Sequence, residues 1–446
     1  MSRPDRNTHF SQTELKNGGE RWYILDNAAA FMPAMANHTF ALVFRIAASL
    51  TERIDLSLLT LAMERITPRF PYYHVELRKG LFWYYFDPLN RPLKPLPDSR
   101  SPNLHLHVLH RREPLFRVRV YGTRIAVEFS HVLADGSGAL RYLQSLLLAY
   151  GELRGIRVKD PQDIMRPHEA PNEEEYEDAF NRHFRNKNAY PGRVEKAFHR
   201  PYKALIRGQY RITSGVLSLA QVKTRCEALG CTINDYLVAI YMLCLQETYQ
   251  ALLPAERAAA RPIIAIQVPV NLRALYPSKT MRNFSLYVLP AIDTRLGAYS
   301  FEELVRHIRS YMQTELTAKG LSRQISRNVA TGRSLGVRVL PLFLKDLAAR
   351  LVYKHIGEDT YSGFLSNLGP IKLPEELESL VDHFSFIPTP SYRCPTNLNV
   401  TSYRDKFVLC FGSVANDSDI ERRFFRFLVT EGLDVQVDSN MGFDQG

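Results

Sequence analysis

The chain is short of cysteine, of long apolar runs and of glycine-rich phosphate loops, and each shortage removes a class of protein. The five cysteines (Cys226, Cys231, Cys244, Cys394, Cys410) are odd in number and form no CxxC pair. They therefore suit neither a disulfide framework nor a cysteine zinc site, and they fit a reducing compartment. The longest apolar stretch, Tyr236–Leu245, reaches only about half a membrane span, so no transmembrane helix is expected. The opening MSRPDRNTHF has no apolar core of the kind a secretory leader carries, which points to a cytoplasmic protein. Neither GxxxxGK[ST] nor GxGxxG occurs, so ATP and NAD are not implied.

What is present is the balance of a packed protein. Hydrophobic residues make up 45% and charged residues 23% of 446, enough for two domains. The net charge of +11 would attract nucleic acid, an anionic membrane or a phosphate-bearing small molecule. Lys and Arg are interspersed with Asp and Glu, and no basic block, RNP signature or zinc finger appears. A phosphate-bearing substrate or diffuse surface charge is the better reading, with no nucleic acid partner.

Two lobes of mixed α/β texture are expected, 1–165 and 201–446, joined by a polar crossover over 166–200. In the first lobe, Phe40–Ile46 reads as a strand. Asp55 caps a helix whose Leu56, Leu59, Met63 and Ile66 recur at helical spacing. Tyr72–Leu77 and Leu81–Phe86 read as a hairpin turning at Lys79-Gly80, and Leu104–Leu109 as a further strand. Phe116–Tyr121 and Arg124–Phe129 pair around Gly122, and a helix follows over Gly138–Tyr150. A polar helix is expected near Glu173–Phe184. In the second lobe, strands are expected at Tyr210–Leu217, Ile263–Val270, Ser285–Ile292, Gly363–Ser366, His383–Ile387, Leu398–Tyr403 and Lys406–Phe411. Helices are expected from Leu219, over Ile233–Tyr249 (capped by Thr232 or Asn234), over Phe301–Thr317, in a basic region ending near Tyr353, and over Asp417–Glu431.

One segment carries chemistry: Glu128-Phe129-Ser130-His131-Val132-Leu133-Ala134-Asp135-Gly136-Ser137-Gly138. His131 falls where a strand ends, and imidazole is the side chain best suited to moving protons near neutral pH. Asp135 either orients the ring or anchors the loop, and as Asp-Gly it is also ordinary turn chemistry. Gly136 and Gly138 permit approaches that a Cβ would block.

Phe116-Arg117-Val118, HVLADG and GALRYLQSLLLAY together resemble the HxxxDG acyltransferases, the superfamily of chloramphenicol acetyltransferase, alcohol acetyltransferases, wax ester synthases and peptide condensation domains. Further matches follow in order: Arg69-Phe70-Pro71 with Gly80-Leu81-Phe82-Trp83; Thr232-Ile233-Asn234-Asp235; Pro269-Val270-Asn271-Leu272-Arg273; Arg282-Asn283-Phe284; and Ser366-Asn367-Leu368-Gly369-Pro370 with Leu373-Pro374. The resemblance implies an α/β chloramphenicol acetyltransferase-like fold, two pseudo-symmetric lobes with a substrate channel at their interface. It implies that His131 is the general base and that Asp135 pairs with Arg273 across the lobes. Asn283, Ser366 and Asn367 are supporting candidates, Ser366 or Asn367 as an oxyanion donor. The implied partners are an acyl thioester, acyl-CoA as co-substrate, and a small-molecule alcohol or amine, with an acyl carrier protein as an alternative donor. No tightly bound cofactor and no metal are implied.

Two departures narrow the branch. Ser130 stands where condensation domains usually carry a second His, and the DFGWG segment of the plant enzymes is missing. A freestanding acyltransferase fits better than a condensation enzyme. A catalytically silent binding member of the fold is the remaining alternative. Outside the motif, His105 and His107 share a strand face but have no carboxylate or Cys partners, a poor metal site. Cys394 and Cys410 lack a nucleophile signature, and Phe82–Phe86 reads as core or interface packing, with an acyl chain or a base as the alternative ligand.

Overall fold

The computed structural model describes residues 13–15, 21–36, 42–103, 106, 108–109, 112–184, 195–333 and 335–441. It forms two α/β lobes. In the first, a five-stranded sheet runs in the order Val381–Ile387, Val43–Leu50, Arg124–Ser130, Phe116–Tyr121, Leu96–Pro97. The central hairpin pairs Val120 with Ile125 and turns at Gly122, whose φ of 57° suits a residue without a Cβ. Helices Leu56–Ile66 and Gly136–Leu153 bury their apolar stripes into the core of this lobe. Asp55 starts the first of them by accepting from Ser57 and Leu58 N–H at 2.8 and 3.1 Å. Leu56, at the edge of that stripe, is 57% exposed rather than core.

The second lobe holds an eight-stranded sheet. Its order is Ser285–Val288, Ile263–Asn271, Gly363–Ile371, Thr396–Tyr403, Lys406–Ser413, Arg211–Ser218, Gln436–Ser439, with Ala291–Asp293 also on Ile263–Asn271. Thr396–Tyr403 lies at the centre and is buried throughout. Helices Ile233–Gln250, Phe301–Glu315 and Asp419–Thr430 supply the opposing layer of its core. Thr232, not Asn234, caps the first of these, in a reciprocal pair with Asp235. A smaller four-stranded sheet joins Thr13–Leu15 and Arg21–Ile24 to the hairpin Tyr84–Pro88 and Val75–Lys79.

Several expectations are corrected. The segment Ser285–Ile292 is two strands, because Pro290 has no N–H to continue the ladder; its carbonyl instead accepts from Ile266 N–H at 3.1 Å. The hairpin begins at Val75, since Tyr72 and Tyr73 lie in the turn after Phe70. Glu173–Phe184 is not one helix but a 3-10 turn, Glu173–Tyr176, and a one-turn helix, Ala179–Arg182. Glu177 is extended between them, and Asp178 caps the second turn. Of the expected strand Leu104–Leu109, the described Val108 and Leu109 lie in a turn, while Leu104, His105 and His107 lie outside the described residues. Phe40 and Ala41 also lie outside them, and so do 185–194 of the crossover; the Phe40–Ile46 strand runs instead over Val43–Leu50.

The two halves of the chain exchange material. Val381–Ile387, from the second half, pairs antiparallel with Val43–Leu50. Ile371, Leu373, Leu377, Phe384 and Phe386 sit in the first lobe's core.

Candidate active site

The site grows from the end of the Arg124–Ser130 strand. Ser130 is fully buried, and its hydroxyl accepts from Val132 N–H at 3.3 Å, which folds the chain out of the sheet. His131 N–H donates to Leu42 O at 2.7 Å. Leu42 holds a left-handed backbone (φ 52°), a conformation costing about 1–3 kcal/mol in a non-glycine residue. The strain thus lies directly beside the histidine.

The imidazole rests on Phe44, ring centroids 4.5 Å apart at 40°. Phe44 in turn meets Phe386 of the crossing strand edge-on at 6.2 Å. His131 is half-buried, so solvent still reaches a side chain deep between the lobes. Desolvation lowers its pKa from the ordinary 6.5 to about 4, against the upward pull of the Asp135 carboxylate and of a hydrogen bond with Asn283. At neutral pH the ring is a free base.

Asp135 is spent on architecture. One oxygen accepts from Gly138 N–H at 3.1 Å and caps the Gly136–Leu153 helix. The other accepts from Arg273 Nη1 at 2.8 Å and Phe284 N–H at 2.9 Å, both in the second lobe. Arg273 also donates to Thr280 O and Arg282 O, at 3.0 and 2.6 Å. Asn271 adds a bond to Ser137 at 3.2 Å. The motif turn is therefore bolted to the Asn271–Phe284 loop of the other lobe.

Asn283 does more than turn a loop. Its Nδ2 donates to His131 O at 2.9 Å and to Asp26 Oδ2 at 3.0 Å. Asp26 is buried, with Ala29 N–H on its other oxygen, and burial together with nearby Asp178 pushes its pKa up to about 7. Arg282 donates to Ile24 O at 2.6 Å and lies over the rings of Tyr23 and Phe86.

The glycines differ in what they permit. A Cβ on Gly138 would lie 2.2 Å from Met281 O and 2.5 Å from Tyr73 Oη, two atoms that themselves hydrogen-bond at 2.6 Å. On Gly136 it would meet Leu368 and Phe386 side chains at 3.2 and 3.5 Å. Gly138 is the stricter position.

Ser366 and Asn367 are not joined to the motif by any hydrogen bond. Asn367 donates to Asn234 at 2.8 Å and accepts from Gly369 N–H at 2.8 Å, a structural role in the bulged part of its strand. Ser366 is half-buried, and its hydroxyl has no partner among the described residues. Cys394 and Cys410 are buried, and burial raises both thiols, so they pack rather than attack. Among the described residues no three His, Cys, Asp or Glu side chains group as metal ligands, and His105 and His107 lie outside them.

Asp26, Tyr73 and Asp178 are not singled out by the sequence, and Arg282 is marked only as part of the Arg282-Asn283-Phe284 match. The partner of Asp26, Asn283, lies far along the chain, beyond the reach of any local pattern.

No protein-family model matches the chain, and neither does any curated protein. Solved structures do. TRI101 of Fusarium sporotrichioides, complexed with coenzyme A and T-2, superposes at TM-score 0.62 and 12% identity over 94% of this chain and 100% of that one. The trichothecene 15-O-acetyltransferase TRI3 of the same organism gives TM-score 0.59 at 12% identity, covering 94% and 96%. The wax ester synthase/diacylglycerol acyltransferase of Marinobacter aquaeolei VT8 gives 0.51 at 14%, covering 89% and 97%. The chain shares the two-lobed α/β, chloramphenicol acetyltransferase-like fold of these structures.

Proposed function

We propose that the protein is an acyltransferase that moves an acyl group from a thioester, acyl-CoA, to a hydroxyl or amine, with His131 as general base. One observation carries the reading: an unprotonated imidazole, half-open to solvent, is held at the lobe junction by the Leu42 carbonyl and by the Asn283 clamp. The fold shared with a structure holding coenzyme A supports the choice of donor.

A hydroxyl or amine attacks the thioester carbonyl as one of its protons passes to the His131 ring. The tetrahedral oxyanion needs a donor, and Ser366, with an unengaged hydroxyl, fits that task better than the committed Asn367. Collapse breaks the C–S bond, and the imidazolium returns its proton to the departing thiolate. Both substrates meet at the lobe junction, so no acyl-enzyme forms. Asp135, Gly136 and Arg273 hold the frame, and free thiols suit a cytoplasmic setting.

The test is thiol release from acetyl-CoA, longer acyl-CoAs and a carrier-bound acyl group with a panel of alcohols and amines. His131→Ala is expected to lower acceptor-dependent release by about a hundredfold to ten-thousandfold while leaving the thermal midpoint in place. Equal release from both proteins would remove His131 as the base. Release only from a carrier-bound donor would replace acyl-CoA, and none from any donor would leave a binding member of the fold.

A further inference from the structure

A run of helices that the proposed mechanism does not use carries much of the chain's excess charge. Ala318–Arg333, Leu335–Val339 and Leu342–Ile356 together hold eight Lys or Arg and a single acidic residue, Asp346. Even that carboxylate is turned inward, paired with Lys79 Nζ at 3.2 Å and accepting from Tyr84 Oη at 2.8 Å. Lys319, Arg323, Arg338 and Arg350 are exposed.

The same run leaves large apolar side chains outside. Phe343, Leu347 and Leu351 recur every fourth residue along one face of the last helix and are each more than half exposed. Val339 is exposed beside them in sequence. The start of this helix is fastened to the tip of the first-lobe hairpin: Leu342 N–H donates to Leu81 O at 2.9 Å, and Lys345 Nζ to Phe82 O at 2.7 Å. That tip contributes Leu81 and Trp83, 72% and 53% exposed. A helix whose outward face is apolar while its sequence is cationic inverts the usual pattern of a solvated helix.

We propose that this face, Leu81, Trp83, Phe343, Leu347 and Leu351 with the exposed Lys319, Arg323, Arg338 and Arg350, docks the protein on an anionic lipid bilayer. The bilayer matches both halves of the pattern. Acyl chains accept the apolar side chains to a shallow depth, anionic headgroups neutralise the cations, and tryptophan is favoured at the headgroup level. A second copy would bring two cationic runs face to face, which charge opposes. A folded acidic protein would answer the charge but offers no apolar phase for five outward side chains.

The test uses Trp83 as reporter. Trp22→Phe leaves it as the single tryptophan, and Phe keeps the edge contact of Trp22 with Tyr85. Vesicles of phosphatidylcholine containing about 30 mol% phosphatidylserine are expected to shift its emission to the blue and to float the full-length protein. Pure phosphatidylcholine should do neither, and added salt should release the protein. The triple variant Phe343→Ser, Leu347→Ser, Leu351→Ser is expected to bind about tenfold or more weakly, with an unchanged melting curve because all three sites are exposed. No flotation at low salt, undiminished binding by the triple variant, or binding to neutral vesicles alone would overturn the proposal. So would a blue shift with dimer mass on concentrating the protein without lipid. None of these readouts involves an acyl donor, so the docking surface stands or falls apart from the acyl transfer.

Discussion

Desolvation sets the protonation state of His131. In an unfolded chain its pKa is 6.5, and in the fold it is about 4, so folding favours the neutral ring. That contribution is whole above pH 6.5 and is lost as pH falls through 6.5 toward 4. The rate should therefore be level from about pH 6 to 8 and fall only near pH 4 to 5. A rate profile with its inflection near 6.5 would mean that the ring is solvated during the proposed transfer. Asp135 is a different kind of residue. Its two oxygens serve three donors, Gly138 N–H, Arg273 and Phe284 N–H, and an amide nitrogen in place of either oxygen would face a donor. Asp135→Asn is expected to cost about 3 kcal/mol in urea unfolding, the scale of a buried charge left unpaired. Arg273→Ala should cost a similar amount, and the double variant less than their sum. Full stability with lost activity would instead give Asp135 a chemical role.

At the scale of elements, the first turn of the Gly136–Leu153 helix packs directly on the second-lobe loop around Arg273, Met281 and Phe284. Gly138 admits Met281 O and Tyr73 Oη to positions that any Cβ would occupy. Gly138→Ala must push the second-lobe loop away or break the Tyr73–Met281 bond, at about 1–3 kcal/mol. Gly136→Ala faces only the ends of Leu368 and Phe386 and should cost less; thermal melts of the two variants, side by side, decide it. The caps at Asp55 and Thr232 were legible because capping is a contact of a residue with its own next turn. The break at Glu177 was not, because its cause is distant. Glu175 is pulled into a bidentate bond with Arg69 at 2.7 Å and a third with Tyr72 at 2.7 Å, and its backbone carbonyl accepts from Met281 N–H at 2.6 Å.

At the scale of the molecule, the lobes are not independent cores. Val381–Ile387 leaves the second half of the chain to complete the first-lobe sheet, and Asn103 ties Pro388 O to the first lobe at 2.7 Å. Removing the second lobe from the first would strip a strand and expose Phe384 and Phe386. A chain of this length with two α/β layers would ordinarily show two unfolding steps. Here a single calorimetric transition is expected, with calorimetric and van't Hoff enthalpies in agreement. Two resolved peaks would mean that the shared strand couples the lobes only weakly.

The sequence by itself determined the local terms: which segments alternate as strands, where helices start, and that His131, Asp135 and Gly136 share one turn. These depend on residues a few positions apart. Through its likeness to HxxxDG acyltransferases it also carried the Asp135–Arg273 pairing, which the structure places at 2.8 Å. Only the tertiary structure decided what holds the histidine. Leu42 and Asn283 meet it from separate parts of the chain, Asp26 holds Asn283 in turn, and Phe386 backs the Phe44 ring beneath it from the Val381–Ile387 strand. No spacing rule reaches across such separations, because burial and pairing are properties of surfaces that exist only once both lobes have closed.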